Sequence, residues 1–71
     1  MAVEVKFGRV PGRLSEATLL EGSTVRESLR ILEITVGSDE VVSVNGSTVE
    51  LDDTIDADTR TITVAKRVKG N

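Results

Sequence analysis

The sequence predicts an α+β domain in which one helix lies across a mixed sheet of four or five strands. Three observations carry that prediction: apolar and polar residues alternate near both ends of the chain, a helix-start signal stands at Thr24 and Glu27, and Asn45-Gly46 interrupts an apolar run. Period-two alternation marks half-buried strands, whereas apolar residues three and four apart mark one face of a helix. A lone helical stripe must be covered by a sheet.

Val3, Val5 and Phe7 alternate with Glu4 and Lys6, which predicts a first strand over residues 2–7. Gly8 to Gly12 then makes a hairpin turn, with Pro11 presetting φ and Gly12 supplying the positive φ of a type II turn. The second strand, residues 13–21, is less regular. Leu19 and Leu20 are adjacent and cannot both face one core, so a bulge or an exposed leucine is expected. Thr24 and Glu27 form a capping box that starts a helix at Val25. Val25, Leu29, Leu32 and Val36 share its buried stripe, with Arg26, Glu27, Arg30 and Glu33 opposite. The β-branched residues 34–36 ahead of Gly37 stop the helix near Glu33, and Ile31 and Ile34, off the stripe, are expected to close the lower edge of the core.

Residues 40–44 read as a third strand with Val42 and Val44 on one face, followed by the type I′ dipeptide Asn45-Gly46 and a short fourth strand over 47–51. Residues 52–58 are an acid-rich loop with one apolar anchor, Ile55. Residues 61–68 form the last strand, with Ile62 and Val64 inward.

Composition narrows the chemistry. The 71 residues carry 9 Lys+Arg against 12 Asp+Glu, a net charge of −3; Cys, His, Trp and Tyr are absent, and Phe7 is the only aromatic. Without His or Cys there is no thiolate or imidazole nucleophile, no Ser/His/Asp triad and no zinc or iron-sulfur site of the usual kind. No catalytic residue, metal or cofactor is therefore expected. Glu50, Asp52, Asp53, Asp56 and Asp58 resemble a Ca²⁺ loop only superficially, lacking its sixth-position Gly and distal bidentate Glu. They read as a solvated acidic loop, or as a docking surface for a basic partner. Lys6, Arg9, Arg13, Lys66 and Arg67 are the residues an RNA-binding patch would use, but the acidic balance and the lack of stacking aromatics argue against nucleic acid. No run approaches the roughly 18 apolar residues of a membrane span. The mixed charge of residues 1–9 is unlike a signal peptide, so a cytoplasmic protein without membrane contact is expected. One domain over residues 1–71, with a short flexible tail over about 66–71, fits a chain of this length.

The Gly-x-Thr-Val helix start at Gly22 to Val25, the strand ending Val44-Asn45-Gly46 and the tail Val68-Lys69-Gly70-Asn71 together resemble the ThiS/MoaD family. The resemblance spans essentially the whole chain. It implies a ubiquitin-like β-grasp fold and a carrier whose C-terminal carboxylate is adenylated by an activating enzyme of the ubiquitin-activating type, then converted to a thiocarboxylate. Such carriers end in Gly-Gly, since a bare backbone must thread a narrow channel. Here Gly70 matches the penultimate position and Asn71 stands at the end. A second departure is Ala57, where the family has Gly between two acids.

Two readings follow. In the first, the protein is a non-catalytic β-grasp module that binds a protein partner through its sheet face and tail. In the second, it is a sulfur carrier or protein modifier acting through Val68, Lys69, Gly70 and Asn71. Candidate partner-face residues are Leu14, Leu19 or Leu20, Thr63 and Ala65, the register of the second strand leaving the leucines undecided. An exposed edge on the second or third strand offers β-augmentation instead. The protein is expected to be a monomer on its own.

Overall fold

A computed structural model describes residues 1–67. Its elements are β1 (Ala2–Arg9), β2 (Ser15–Leu20), α1 (Val25–Ile31), β3 (Glu40–Val44), β4 (Ser47–Val49) and β5 (Thr61–Lys66). The strands form one sheet in the order β2-β1-β5-β3-β4. The first and last strands pair in parallel at its centre, Lys6 opposite Thr61 and Arg9 opposite Val64, while the other pairings are antiparallel. The fold is α+β, a ubiquitin-like β-grasp with a mixed five-stranded sheet. The sequence resemblance to carriers at Val68 to Asn71 lies outside the described residues.

The core lies between the sheet and the helix. Val3, Val5, Leu19, Val42, Ile62 and Val64 point from the strands toward Val25 and Leu29 of α1, all buried, and Ile55 is buried with them. Ladder partners explain why one face holds together: Val3 stands opposite Leu19, Phe7 opposite Ile62, and Val42 opposite Val64. Burying each Val, Leu or Ile side chain is worth about 1.5–3 kcal/mol, the main return for ordering so short a chain.

Helix α1 begins as its capping box predicts. The Glu27 N–H donates to the Thr24 hydroxyl at 3.1 Å, and the Thr24 N–H donates to the Glu27 carboxylate at 3.0 Å. The remaining first-turn donors find partners far away in sequence: Val25 N–H donates to the Asp53 carbonyl at 2.8 Å and Arg26 N–H to the Leu51 carbonyl at 3.0 Å. The acid-rich loop is therefore more than a solvated connection. Its backbone satisfies helix donors that would otherwise lack acceptors, and the Ile55 N–H donates to the Ser23 carbonyl at 2.7 Å.

The helix ends earlier than its apolar stripe. Leu32 is the C-cap and Glu33, at φ 60°, takes the left-handed conformation. Glu33 N–H donates to Arg30 O at 3.2 Å and Ile34 N–H to Leu29 O at 2.9 Å, a Schellman closure with Glu where Gly is usual. Val36 thus lies beyond the helix, reaching the core from the loop. Ile34 packs against the core as expected, but Ile31 is 62% exposed, because it leaves the last turn on the side away from the sheet.

Three further expectations are corrected. The Val10–Pro11 peptide bond is cis and Gly12 has φ 155°, in place of the roughly +80° of a type II turn. β4 and β5 are shorter than the alternation suggested, at Ser47–Val49 and Thr61–Lys66, and Val68 lies outside the described residues. β3 is not an edge, because β5 and β4 flank it; the edges are β2 and β4.

Gly8 is fixed by close approach. A Cβ there would lie 2.6 Å from the Arg13 carbonyl oxygen and 3.1 Å from the Leu14 side chain, so the hairpin closes only over a bare backbone.

Candidate functional site

Among the described residues, the helix covers one face of the sheet and leaves the other open. Strand parity decides which residues look out: Glu4 and Lys6 from β1, Glu16, Thr18 and Leu20 from β2, Thr61, Thr63 and Ala65 from β5, and Val41 and Ser43 from β3. Thr63 and Ala65 occupy the middle strand of this face and are half-buried by their neighbours. Ser43 stands opposite Thr63 and Val41 opposite Ala65. Gly8 stands opposite Thr63 on the other side, and the Leu14 side chain lies over Gly8. Leu14, Thr63, Ala65 and Val41 therefore make one shallow patch of hydroxyl and hydrocarbon.

Leu19 does not belong to it. Leu19 is 2% exposed and sits opposite Val3 in the core, whereas Leu20, opposite Ala2, is 65% exposed. The adjacent leucines resolve without a bulge, by splitting across the two faces. Leu20 is nevertheless remote from the Leu14 patch, since Ala2 and Gly8 are six residues apart along β1, about 20 Å at strand rise. Val68, Lys69, Gly70 and Asn71 lie outside the described residues. Val41 and Ser43 were not among the candidates, although placing Val42 and Val44 inside already puts them outside.

Between the Leu20 corner and the patch, an open hollow of about 490 Å³ is lined by Glu4, Lys6, Glu16, Thr18, Arg60 and Thr61 among others. Its two carboxylates and two cations mix both signs, and Lys6 stands opposite Glu16. This surface favours neither a polyanion nor a polycation.

At the end of the sheet where β5 finishes, long-range contacts tie the strands to the loop after α1. The Arg9 guanidinium donates to the Glu40 carboxylate and to the Thr35 carbonyl. The Gly37 N–H also donates to Glu40, at 2.8 Å. Arg9 first, and then the Gly37 N–H, hold the Glu40 carboxyl below the ordinary carboxylate range. Arg67 N–H donates to the Asp39 carbonyl at 2.7 Å, fixing the chain just past β5. Arg9 is thus committed to the fold and is not free to neutralise a phosphate.

The opposite end is organised by Asn45. Its amide Nδ2 donates to the Asp58 carbonyl at 3.0 Å, and its Oδ1 accepts from the N–H groups of Arg60 at 2.7 Å and Thr61 at 3.1 Å. Asn45 at φ 54° and Gly46 at φ 86° form the type I′ turn that the dipeptide predicts. The side chain extends that role, fastening the β3–β4 turn to the entry of β5.

The acidic loop commits the carboxylates of Asp52, Asp53 and Asp56 to the fold. Asp53 accepts from Glu50 N–H at 2.9 Å, Asp56 from Asp58 N–H at 2.9 Å, and Asp52 pairs with Arg26 at 2.8 Å. The buried Thr59 hydroxyl donates to Asp56 at 3.3 Å. Among the described residues, no group of three or more Asp or Glu is placed to hold a metal ion. No described helix is long and apolar enough to cross a membrane. The chain matches no family model, and no curated protein matches it.

Proposed function

We propose that the protein is a small, non-catalytic β-grasp module, resembling ThiS/MoaD carriers, that acts by binding a protein partner through its open sheet face and C-terminal tail. One observation supports this above the others: among the described residues the five-stranded sheet carries its helix on one face only, and the other face presents Leu14, Thr63, Ala65 and Val41 together at the end where β5 finishes. A flat patch of small and hydroxyl side chains without stacking aromatics suits a protein surface better than a nucleic acid. In this reading the chain is a cytoplasmic monomer until it meets its partner. Replacing Ala65 with Arg places a guanidinium in the patch. Loss of partner capture with an unchanged far-UV circular dichroism spectrum supports this reading, and undiminished capture refutes it.

A second reading is a sulfur carrier or protein modifier activated by an adenylating enzyme. It is favoured by Gly70 and by the bond from Arg67 to Asp39, which holds the chain to the sheet up to the point where the tail continues. The intact mass of the protein from its own source separates the two. An unmodified mass for residues 1–71 fits the binding module. Replacement of a terminal oxygen by sulfur, loss of Asn71 or an adduct to another protein's lysine fits the carrier.

A further inference from the structure

The two edges of the described sheet are not equally protected. β4, at one edge, has three residues, and so short a strand offers little to pair with. β2, at the other, runs for six residues in unbroken register with β1, without a bulge or a proline, and carries one charge, Glu16. Such an edge is a template for another strand, because its outward N–H and C=O groups await partners.

The ladder decides which groups face outward. The Glu21 N–H donates to the Met1 carbonyl at 2.8 Å, so the odd-numbered residues of β2 bond β1 and the even-numbered ones turn their backbone to the edge. Glu16 and Thr18 therefore present both groups there. Leu20 presents its N–H, its carbonyl being taken by the Ser23 N–H at 3.2 Å.

The side chains along this edge are self-complementary about Ala17. Leu14 and Leu20, 43% and 65% exposed, stand three residues to either side of it. Arg13 and Glu21, both exposed and opposite in charge, stand four residues to either side. Neither has an ion-pair partner among the described residues. A second copy running antiparallel, Ala17 opposite Ala17, therefore sets Leu14 against Leu20 and Arg13 against Glu21, each pairing made twice by the two-fold axis. Glu16 and Thr18 exchange backbone bonds across the axis, and the Leu20 N–H meets the Leu14 carbonyl. The two Glu16 carboxylates lie on a diagonal, each with Lys6 beside it on β1. Ala17 meets its copy at a position without backbone bonds, where the strands approach closest and a methyl fits.

The neighbouring registers that keep each face matched are worse. Centred on Glu16, the strands set Glu16 directly against Glu16. Centred on Thr18, they press each Glu16 carboxylate onto the hydrocarbon of Leu20.

We propose that β2 is a self-association edge, through which two copies of this chain pair antiparallel about Ala17 and join their five-stranded sheets into one continuous sheet with both helices on the same side. The pairing depends neither on an open-face partner nor on the tail. It leaves Val41, Thr63 and Ala65 uncovered and repeats them on one broad surface. A strand pair of this length lies at the low end of specific interfaces, so the monomer is the dilute form and the pair the concentrated one.

The test is sedimentation equilibrium of the full chain from about 20 μM to about 1 mM, by interference optics because Trp and Tyr are absent, with amide hydrogen exchange followed by NMR at both ends of that range. The wild type is expected to move from monomer toward dimer, with exchange slowing at Glu16, Thr18 and Leu20 and little changed at Ala17 and Leu19. Arg13→Glu and Glu21→Arg each set like charges opposite one another and are expected to weaken self-association roughly tenfold. Mixed in equal amounts, the two variants are expected to regain the wild-type association, because the mixed pair opposes carboxylate to guanidinium at both ends; a variant that merely misfolded would not be rescued. The proposal is overturned by a monomer at every concentration, which leaves the edge to a strand of another protein, by protection centred on Thr63 and Ala65, or by a mixture that associates no better than either variant alone.

Discussion

Replacing Asn45 with Gly separates the two roles that this residue plays. By turn chemistry alone the change is harmless, because Gly tolerates the positive φ of a type I′ turn at least as well as Asn. By the observed contacts it is costly. The substitution deletes three side-chain hydrogen bonds, to the Asp58 carbonyl and from the N–H groups of Arg60 and Thr61. At about 0.5–1.5 kcal/mol each, less up to about 1 kcal/mol regained by Gly at φ 54°, the net loss is about 0.5–4.5 kcal/mol, centred near about 2.5 kcal/mol. A domain of this length has roughly 4–10 kcal/mol in total, so at that central value the variant still folds, with a melting temperature lowered by roughly 10–20 °C. The chain has no Trp or Tyr, so urea and thermal unfolding are followed by far-UV circular dichroism. Asn45→Asp is expected to fall between the two, since it keeps both accepted bonds and loses the Nδ2 donor. An Asn45→Gly midpoint at or above that of the wild type refutes the clamp and returns Asn45 to a simple turn former.

Three more outcomes are expected. Glu33→Gly relieves a non-glycine residue at φ 60° in the helix-terminal closure and should raise stability by about 1 kcal/mol in urea unfolding. Gly8→Ala sets a methyl 2.6 Å from the Arg13 carbonyl and should cost about 1–3 kcal/mol, visible as a lower melting temperature and faster exchange of amides in the β1–β2 hairpin. Glu40, whose carboxyl is held below its ordinary value of 4.5 by Arg9 and Gly37, contributes stability that is fully present above that value and lost as pH falls through the lowered one. Urea midpoints should therefore decline on acidification below about pH 4.5, and Arg9→Gln should flatten that decline while lowering the neutral midpoint.

What the sequence disclosed is what short-range physics controls. The Thr24–Glu27 box, the alternation in β1, β3 and β5 and the Asn45-Gly46 turn all depend on residues within a few positions of one another, and each formed at its expected place, with β1 running on to Arg9 and β5 closing at Lys66. The β-branched residues 34–36 placed the helix stop near Glu33, and Glu33 is indeed the left-handed residue after the Leu32 cap, although Glu stands there where Gly gives the usual signal. The facing of Leu19 and Leu20 was undecidable locally; it is set by pairing with Val3 and Ala2, some 16 to 18 residues away. The Arg9–Glu40 pair spans 31 positions, and no spacing rule reaches so far. The candidate face was legible only in part: Thr63 and Ala65 follow from the inward Ile62 and Val64, whereas Leu14 joins them only through the close approach at Gly8.

The parallel pairing of β1 with β5 has a consequence for how the molecule comes into being. Its central ladder joins β1 to a strand synthesised 55 residues later, Lys6 opposite Thr61, and the helix borrows acceptors from residues 51 and 53. On the ribosome, the β1–β2 hairpin and the segment of α1 emerge well before the strand that unites them, and while β5 remains in the exit tunnel the two halves of the sheet have no shared backbone bonds. Contacts of such long sequence separation make folding slow for its size and concentrate it in one late step. The nascent chain therefore carries an unpaired β1 edge until β5 emerges, the interval in which it is most exposed to chaperones and to strands of other chains.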